Sequence, residues 1–136
     1  PVVHLHLFNS CGELYLQKRP AWKDIQPGRW DTAVGGHVDW GEEPLAALRR
    51  EVREEVGVTD FEPQHVLTYL FESERERELV YVYKTVYDGP VVPSGELDGG
   101  RFWTLREIAE GVGGGIFTPN FEGEIRRVAE LPDVGR

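Results

Sequence analysis

Three observations in this chain of 136 residues predict an α/β fold. Apolar residues alternate with a period of two near the N-terminus and again through the middle, which is the pattern of half-buried strands. Between them, and again near the C-terminus, the period changes to that of an amphipathic helix. Hydrophobic residues make up 40% of the chain, enough for a sizeable core. No repeat, low-complexity tract or linker interrupts the pattern, so one domain spanning residues 1–136 is expected.

The elements follow in order. Val2 to Phe8 alternates as a strand, Asn9-Ser10-Cys11-Gly12 reads as a tight turn, and Glu13 to Gln17 as the hairpin partner. A loop carrying Pro20, Pro27 and Gly28 leads to a short strand at Trp30, ahead of Gly35-Gly36. A helix from about Glu43 to Val56 is announced by Pro44, suited to a first helical position, and closed by Gly57, where a left-handed residue commonly ends a helix. Leu45, Leu48, Val52 and Val56 form its apolar stripe, and Ala47 is expected to leave space over the acids beside it. Strands are expected at His65 to Phe71 and Leu79 to Tyr87, ended by Asp88-Gly89-Pro90. Phe102-Trp103 reads as a short strand and Leu105 to Glu110 as a short helix. Asn120 to Leu131 reads as a final helix with Phe121, Ile125 and Val128 on one stripe.

Composition narrows the function. Twenty-four acidic residues against fifteen basic give a formal charge of -9, which repels phosphate backbones and argues against long nucleic acid as a partner. A single cysteine forms no internal disulfide, and no apolar run has the length of a membrane span or secretory signal. A reducing cytoplasm is therefore the expected setting, with a homodimer as a candidate assembly. The chain has no methionine, position 1 included, so a trimmed chain is expected.

The most informative segment runs from Gly36 to Val58, GHVDWGEEPLAALRREVREEVGV. At about 100° per residue, Glu51, Glu54 and Glu55 share an arc of about 100° on the predicted helix. Glu51 and Glu55 repel one another unless a cation lies between them, and a cluster of carboxylate oxygens suits a hard divalent ion. Arg50 stands four residues before Glu54 and can pair with it.

Gly36, then Glu42, then Arg50-Glu51-Val52-Arg53-Glu54-Glu55-Val56-Gly57-Val58 matches every fixed position of the signature of the Nudix hydrolases, and the chain resembles that family. The resemblance implies an α/β/α sandwich around a mixed β-sheet. It also implies magnesium-dependent hydrolysis, with manganese as a substitute, of a diphosphate linkage in a nucleoside diphosphate or a nucleoside diphosphate joined to another group. It makes Glu54 and Glu55 the principal metal ligands and Glu51 a completing or orienting acid. Arg50 and Glu42 become a supporting ion pair, and Gly36 a backbone that lets its carbonyl approach the metal. The general base is expected among the signature acids Glu51 and Glu55, ahead of Glu72, Glu74 and Glu96.

A narrower likeness covers His4 to Asn9, Gly12-Glu13-Leu14, Gln17-Lys18-Arg19, Trp30-Asp31 and Gly35-Gly36-His37-Val38, which are similar to the branch containing isopentenyl-diphosphate isomerase. Those isomerases need a cysteine just before the Gly-His pair, where this chain has Gly35, and Cys11 lies in a turn. The likeness implies a candidate second metal site at His37, Glu76 and Glu78, the two acids falling on one strand face by their spacing. His4 and His6 also share a strand face and are expected to be ordinary strand residues. Arg19 leads a basic concentration with Lys18, Lys23 and Arg29 that could meet phosphate. Trp30, with Trp22, Trp40 and Trp103, offers a surface on which a base could stack. A catalytically inert nucleotide-binding module is the remaining alternative, though nothing in its glutamates is damaged.

Overall fold

The computed structural model describes residues 1–21, 27–95 and 98–135. Among these residues seven strands form one mixed sheet: β1 (Val2–Phe8), β2 (Leu14–Lys18), β3 (Trp30–Thr32), β4 (Val34–His37), β5 (Gln64–Glu72), β6 (Arg77–Val86) and β7 (Gly100–Trp103). The helices are α1 (Pro44–Val56), α2 (Leu105–Gly111) and α3 (Pro119–Val128). β1 is the central strand. One of its edges pairs parallel with β6 along its whole length, from Val2↔Val80 to Phe8↔Val86. The other edge is divided, with β4 antiparallel to its first half (Val2↔His37 to Leu5↔Val34) and β2 antiparallel to its end (Leu7↔Tyr15, Phe8↔Leu14).

Alternation along β1 sorts side chains to two faces. Val3, Leu5 and Leu7 join Tyr15, Val34 and α1 residues Ala47, Leu48, Val52 and Val56 in one core. Val2 joins Leu14, Leu16, Val80, Val82 and Trp103 in the other, under Ile108 of α2 and Phe121, Ile125 and Val128 of α3. The result is the α/β/α sandwich the signature implied. No helix among the described residues is long and apolar enough to cross a membrane.

Three readings of the sequence are corrected. The short strand expected at Trp30 is β3, but Gly35-Gly36 belongs to a further strand, β4, that was not expected, because both residues pair with β1. The charged segment before Leu79 is partly strand, since Phe71↔Glu78 and Glu72↔Arg77 extend the β5–β6 ladder and leave only a short turn. On α1, Ala47 is fully buried while Leu45 is 43% exposed, so Ala47 is core and not open space over the acids. At about 100° per residue, Glu51 and Glu55 lie between Ala47 and Leu48, inside the arc that faces the sheet. Pro44 and Gly57 do mark the ends of α1, with Gly57 at φ 69°.

The α3 face also buries polar groups. Glu124 is 3% exposed and accepts hydrogen bonds from His4 Nδ1 at 2.7 Å, His6 Nε2 at 2.9 Å and the Tyr69 hydroxyl. Burial alone would raise the Glu124 pKa, but the hydrogen bonds and charge of His4 and His6 outweigh it and hold the group at about 2. Burial alone would lower the His4 pKa, but Glu124 outweighs it and the net direction is upward. A depressed carboxylate gives stability above its unfolded value, near 4.5, that is lost as pH falls through about 2. A raised histidine gives stability below its unfolded value of 6.5 that is lost as pH rises through its folded value. The network is therefore at full strength between those two unfolded values. Glu124→Gln is expected to lower stability by about 3 kcal/mol there, and thermal melts across pH should show the gap from wild type narrowing on both sides. A gap independent of pH would contradict the assignment.

Candidate active site

The acids of α1 face β4 across a cleft of about 840 Å³, lined by Gln17 and Arg19 of the β2 end, Gly35 to His37, Glu51, Glu54, Glu55 and Ser94. The guanidinium of Arg50 organises this region. It donates to both oxygens of Glu42, through Nε at 2.9 Å and Nη2 at 3.0 Å, to Glu51 Oε1 at 2.8 Å and to the His37 carbonyl at 3.0 Å. Asp39 and Glu54 stand 3.5 Å away. One planar fork thus ties the loop before α1, the end of β4 and the helix together. Arg50 holds the Glu42 carboxyl down at about 2, and Glu42 and Glu51 in turn push the Arg50 pKa up.

Glu55 is the opposite case. Burial pushes its carboxyl well above the usual carboxylate range, and the adjacent Glu51 carboxyl adds to the effect. Gln17 Nε2 donates to Glu55 Oε1 at 3.4 Å, while Oε2 is buried without a partner among the described residues. Two carboxylates pressed together with one orphaned oxygen need either a proton or a cation. Gly36 makes room for the acid itself: a Cβ there would overlap the Glu51 carboxyl, which packs against the strand backbone. The donor set is all oxygen, which fits a hard divalent cation.

The structure brings together Gly36, Glu51, Glu54 and Glu55, and it places Arg50 and Glu42 as their support. Glu54 stays at the rim, 54% exposed, and Glu51 leans on Arg50, so no three acidic or histidine side chains among the described residues stand at closed ligand spacing. Of the expected second site, His37 Nδ1 lies 4.0 Å from Glu78 Oε2, but Glu76 falls in the β5–β6 turn, outside β6, which removes the shared strand face. Arg19 lines the cleft and stands 3.5 Å from Asp31 Oδ2. Lys18 and Trp30 line no part of it, and Trp30 packs edge-on against Trp103 at 5.2 Å. Glu72 and Glu74 are likewise exposed outside the cleft, Trp40 is fully exposed, and Trp22, Lys23 and Glu96 lie outside the described residues.

Gln17 and the Glu124 network were not anticipated. Gln17 carried a weak signal, its place before Lys18-Arg19 on a predicted strand. The pairing of Glu124 with His4 and His6 joins opposite ends of the chain, and no local spacing announces it.

The NUDIX domain family model matches residues 1–121. An uncharacterized Nudix hydrolase of Pseudomonas aeruginosa is 36% identical over 97 residues, covering 71% of this chain and 57% of that protein. An isopentenyl-diphosphate Delta-isomerase of Serratia proteamaculans is 31% identical over 111 residues, covering 78% of this chain and 60% of that protein. The chain thus spans somewhat more than half the length of these curated relatives. Among solved structures, the Deinococcus radiodurans protein DR0079 superimposes with a TM-score of 0.79 at 26% identity, covering 93% of this chain and 80% of that one. Signature, sandwich, acidic cleft and family match agree, and the chain belongs to the Nudix family.

Proposed function

We propose that this protein is a metal-dependent pyrophosphohydrolase that cleaves a diphosphate linkage in a nucleoside diphosphate, free or joined to another group, by attack of water on phosphorus. The observation that carries the reading is the buried oxygen of Glu55, unpaired among the described residues, beside Glu51, whose carboxyl sits against a strand backbone that only a glycine leaves free for it. Glu51, Glu54, Glu55 and the Gly36 carbonyl would hold magnesium or manganese. The bound ion would supply a lowered pKa for the attacking water and neutralise diphosphate oxygens. Arg50 keeps Glu51 in one orientation, and Gln17 does the same for Glu55. Glu55 or Glu51 accepts the proton of the attacking water. Arg19 meets phosphate at the β2 end of the cleft. A small diphosphate in a reducing cytoplasm is the partner and setting that the acidic surface and single cysteine favour.

The isomerase relative motivates a second reading, which Gly35 disfavours. The thiol expected there is missing, and Cys11 is exposed in the β1–β2 turn. Proton transfer at an alkene has no donor at that position.

Glu54→Gln or Glu55→Gln should lower turnover about 100-fold or more, with the protein still folded; near wild-type rates in both would remove the acids from the reaction. Ionisation of Glu55 opposes folding as pH rises from the unfolded carboxylate range toward its raised folded value. Metal-free Glu55→Gln should therefore melt higher than wild type at neutral pH. Saturating magnesium should stabilise wild type by about 2–3 kcal/mol and the variant much less, with excess chelator abolishing activity and zinc restoring little. In heavy-oxygen water, the label should enter a phosphate product and not a sugar or alcohol, and isopentenyl diphosphate should not isomerise. Label found on carbon, or formation of dimethylallyl diphosphate, would overturn the chemistry.

A further inference from the structure

One margin of the sheet is left unguarded. In the strand order β3-β2-β1-β6-β5 the last place belongs to β5, which is nine residues long and pairs with β6 alone among the described residues. Its outer edge therefore presents a row of backbone amides and carbonyls with no strand beside them. The opposite margin ends in strands of only three and four residues, β3 and β7. A long edge is ordinarily blunted by charge, by proline or by a bulge. From Gln64 to Phe71, β5 has no proline, acid, lysine or arginine, in a chain of which 29% is charged. Its one irregularity lies between His65 and Leu67 and leaves Leu67 to Glu72 in regular pairing.

Both faces beside that edge are apolar. Leu70 opposes Leu79, and both alternate with Tyr69, Phe71 and Val80 of the α3-side core, so they point to the α1 side. There they are 46% and 39% exposed, because α1 seats on β1 and β4 and stops short of β5. On the α3 side, Leu67, Tyr69 and Phe71 line a groove of about 260 Å³ with Gly123 and Arg127 of α3. Charge is distributed unequally along the edge. Phe71 shares a cavity with Asn120, and Gln64 shares another with Val128, so α3 runs antiparallel to β5 and Arg127 stands toward the Gln64 end. Lys84 lies at the same end, opposite Gln64. With Glu62 counted, that end is net positive, whereas Glu72, Glu74 and Glu76 outnumber Arg75 and Arg77 at the other.

We propose that β5 is the contact surface of a homodimer, in which the edges of two copies pair antiparallel about a two-fold axis and join their sheets. An antiparallel edge is self-complementary: the same strand supplies both sides of the ladder, and each copy satisfies the other's outward amides and carbonyls. The axis sets the acidic Glu72 end of each strand beside the Gln64 end of its partner, where Lys84 and Arg127 stand. Parallel pairing would set like charge beside like. Two chains of formal charge -9 repel one another over most of their surfaces, and Gln64 to Phe71 is a stretch to which neither brings an acid. No residue of β5 lines the acidic cleft, so the inference stands apart from the hydrolase reading.

The test uses the full chain. Sedimentation equilibrium across the micromolar range should show a monomer in balance with a dimer. Hydrogen exchange followed by NMR should slow at alternate β5 amides as the dimer fills, because only every second amide of an edge strand faces outward. Leu70→Lys should weaken the dimer about tenfold or more, since each dimer carries the change twice. Arg127→Glu should weaken it as well, and most at low salt. Leu70 and Arg127 are both exposed, so the two variants should keep the wild-type circular dichroism spectrum. Val92→Lys, a similar change at an exposed site on the loop after β6, should leave the dimer as it is. A monomer at every concentration, a dimer whose β5 amides exchange as fast as the monomer's, or an unchanged affinity in Leu70→Lys or Arg127→Glu overturns the proposal.

Discussion

The constraint on which the rest depends is that two carboxylates occupy the packing arc of α1. Glu51 and Glu55 sit between Ala47 and Leu48, where a helix selected for stability alone would carry apolar residues. Their surroundings are arranged to contain that charge. Arg50 draws Glu51 toward the loop, Gln17 reaches Glu55 from β2, and Gly36 withdraws the strand where a side chain would collide. Ala47 is small, and it continues the buried surface past the acids so that the helix still seats on the sheet. The repulsion left over is what makes the site receptive to a cation.

The divided edge of β1 then sets where chemistry can occur. β4 covers only the first half of that edge and β2 only the end, and the Gly35-Gly36 backbone, while paired with β1, lines two cavities, or lobes, of about 840 and 230 Å³. One lobe looks to α1 and is acidic. The other looks to α3 and is polar with its charges paired. β4 is the shared wall of the two.

Much of this was legible in the residues, because local rules govern it. Pro44 and Gly57 bound α1, the spacing of Glu51, Glu54 and Glu55 places them together, and Arg50 and Glu42 follow from the signature. What escaped depends on distant parts of the chain. Whether Ala47 or Leu45 faces the core is decided by where α1 lands on the sheet. That Arg77 and Glu78 are strand residues is decided by β5 extending opposite them, which pairing enforces against their charge. His4 and His6 read as plain strand residues because the carboxylate that employs them arrives from α3, and Glu76 dropped out of its expected cluster because β6 begins only at Arg77.

The parallel pairing of β1 with β6 also has a consequence for how the molecule is made. The strand at the centre of the sheet is synthesised before its neighbours, yet its longest partner, β6, follows only after α1 and β5. Contacts of such separation close slowly, since the intervening loop must be ordered before they give any return. Until β6 emerges, β1 can hold only its antiparallel neighbours, and a nascent chain carries α1 with its acids against half a sheet. The order of assembly is therefore the reverse of the order of reading: the signature is translated early, but the surface that gives its acids a fixed geometry is completed only after the segment that follows them has folded back.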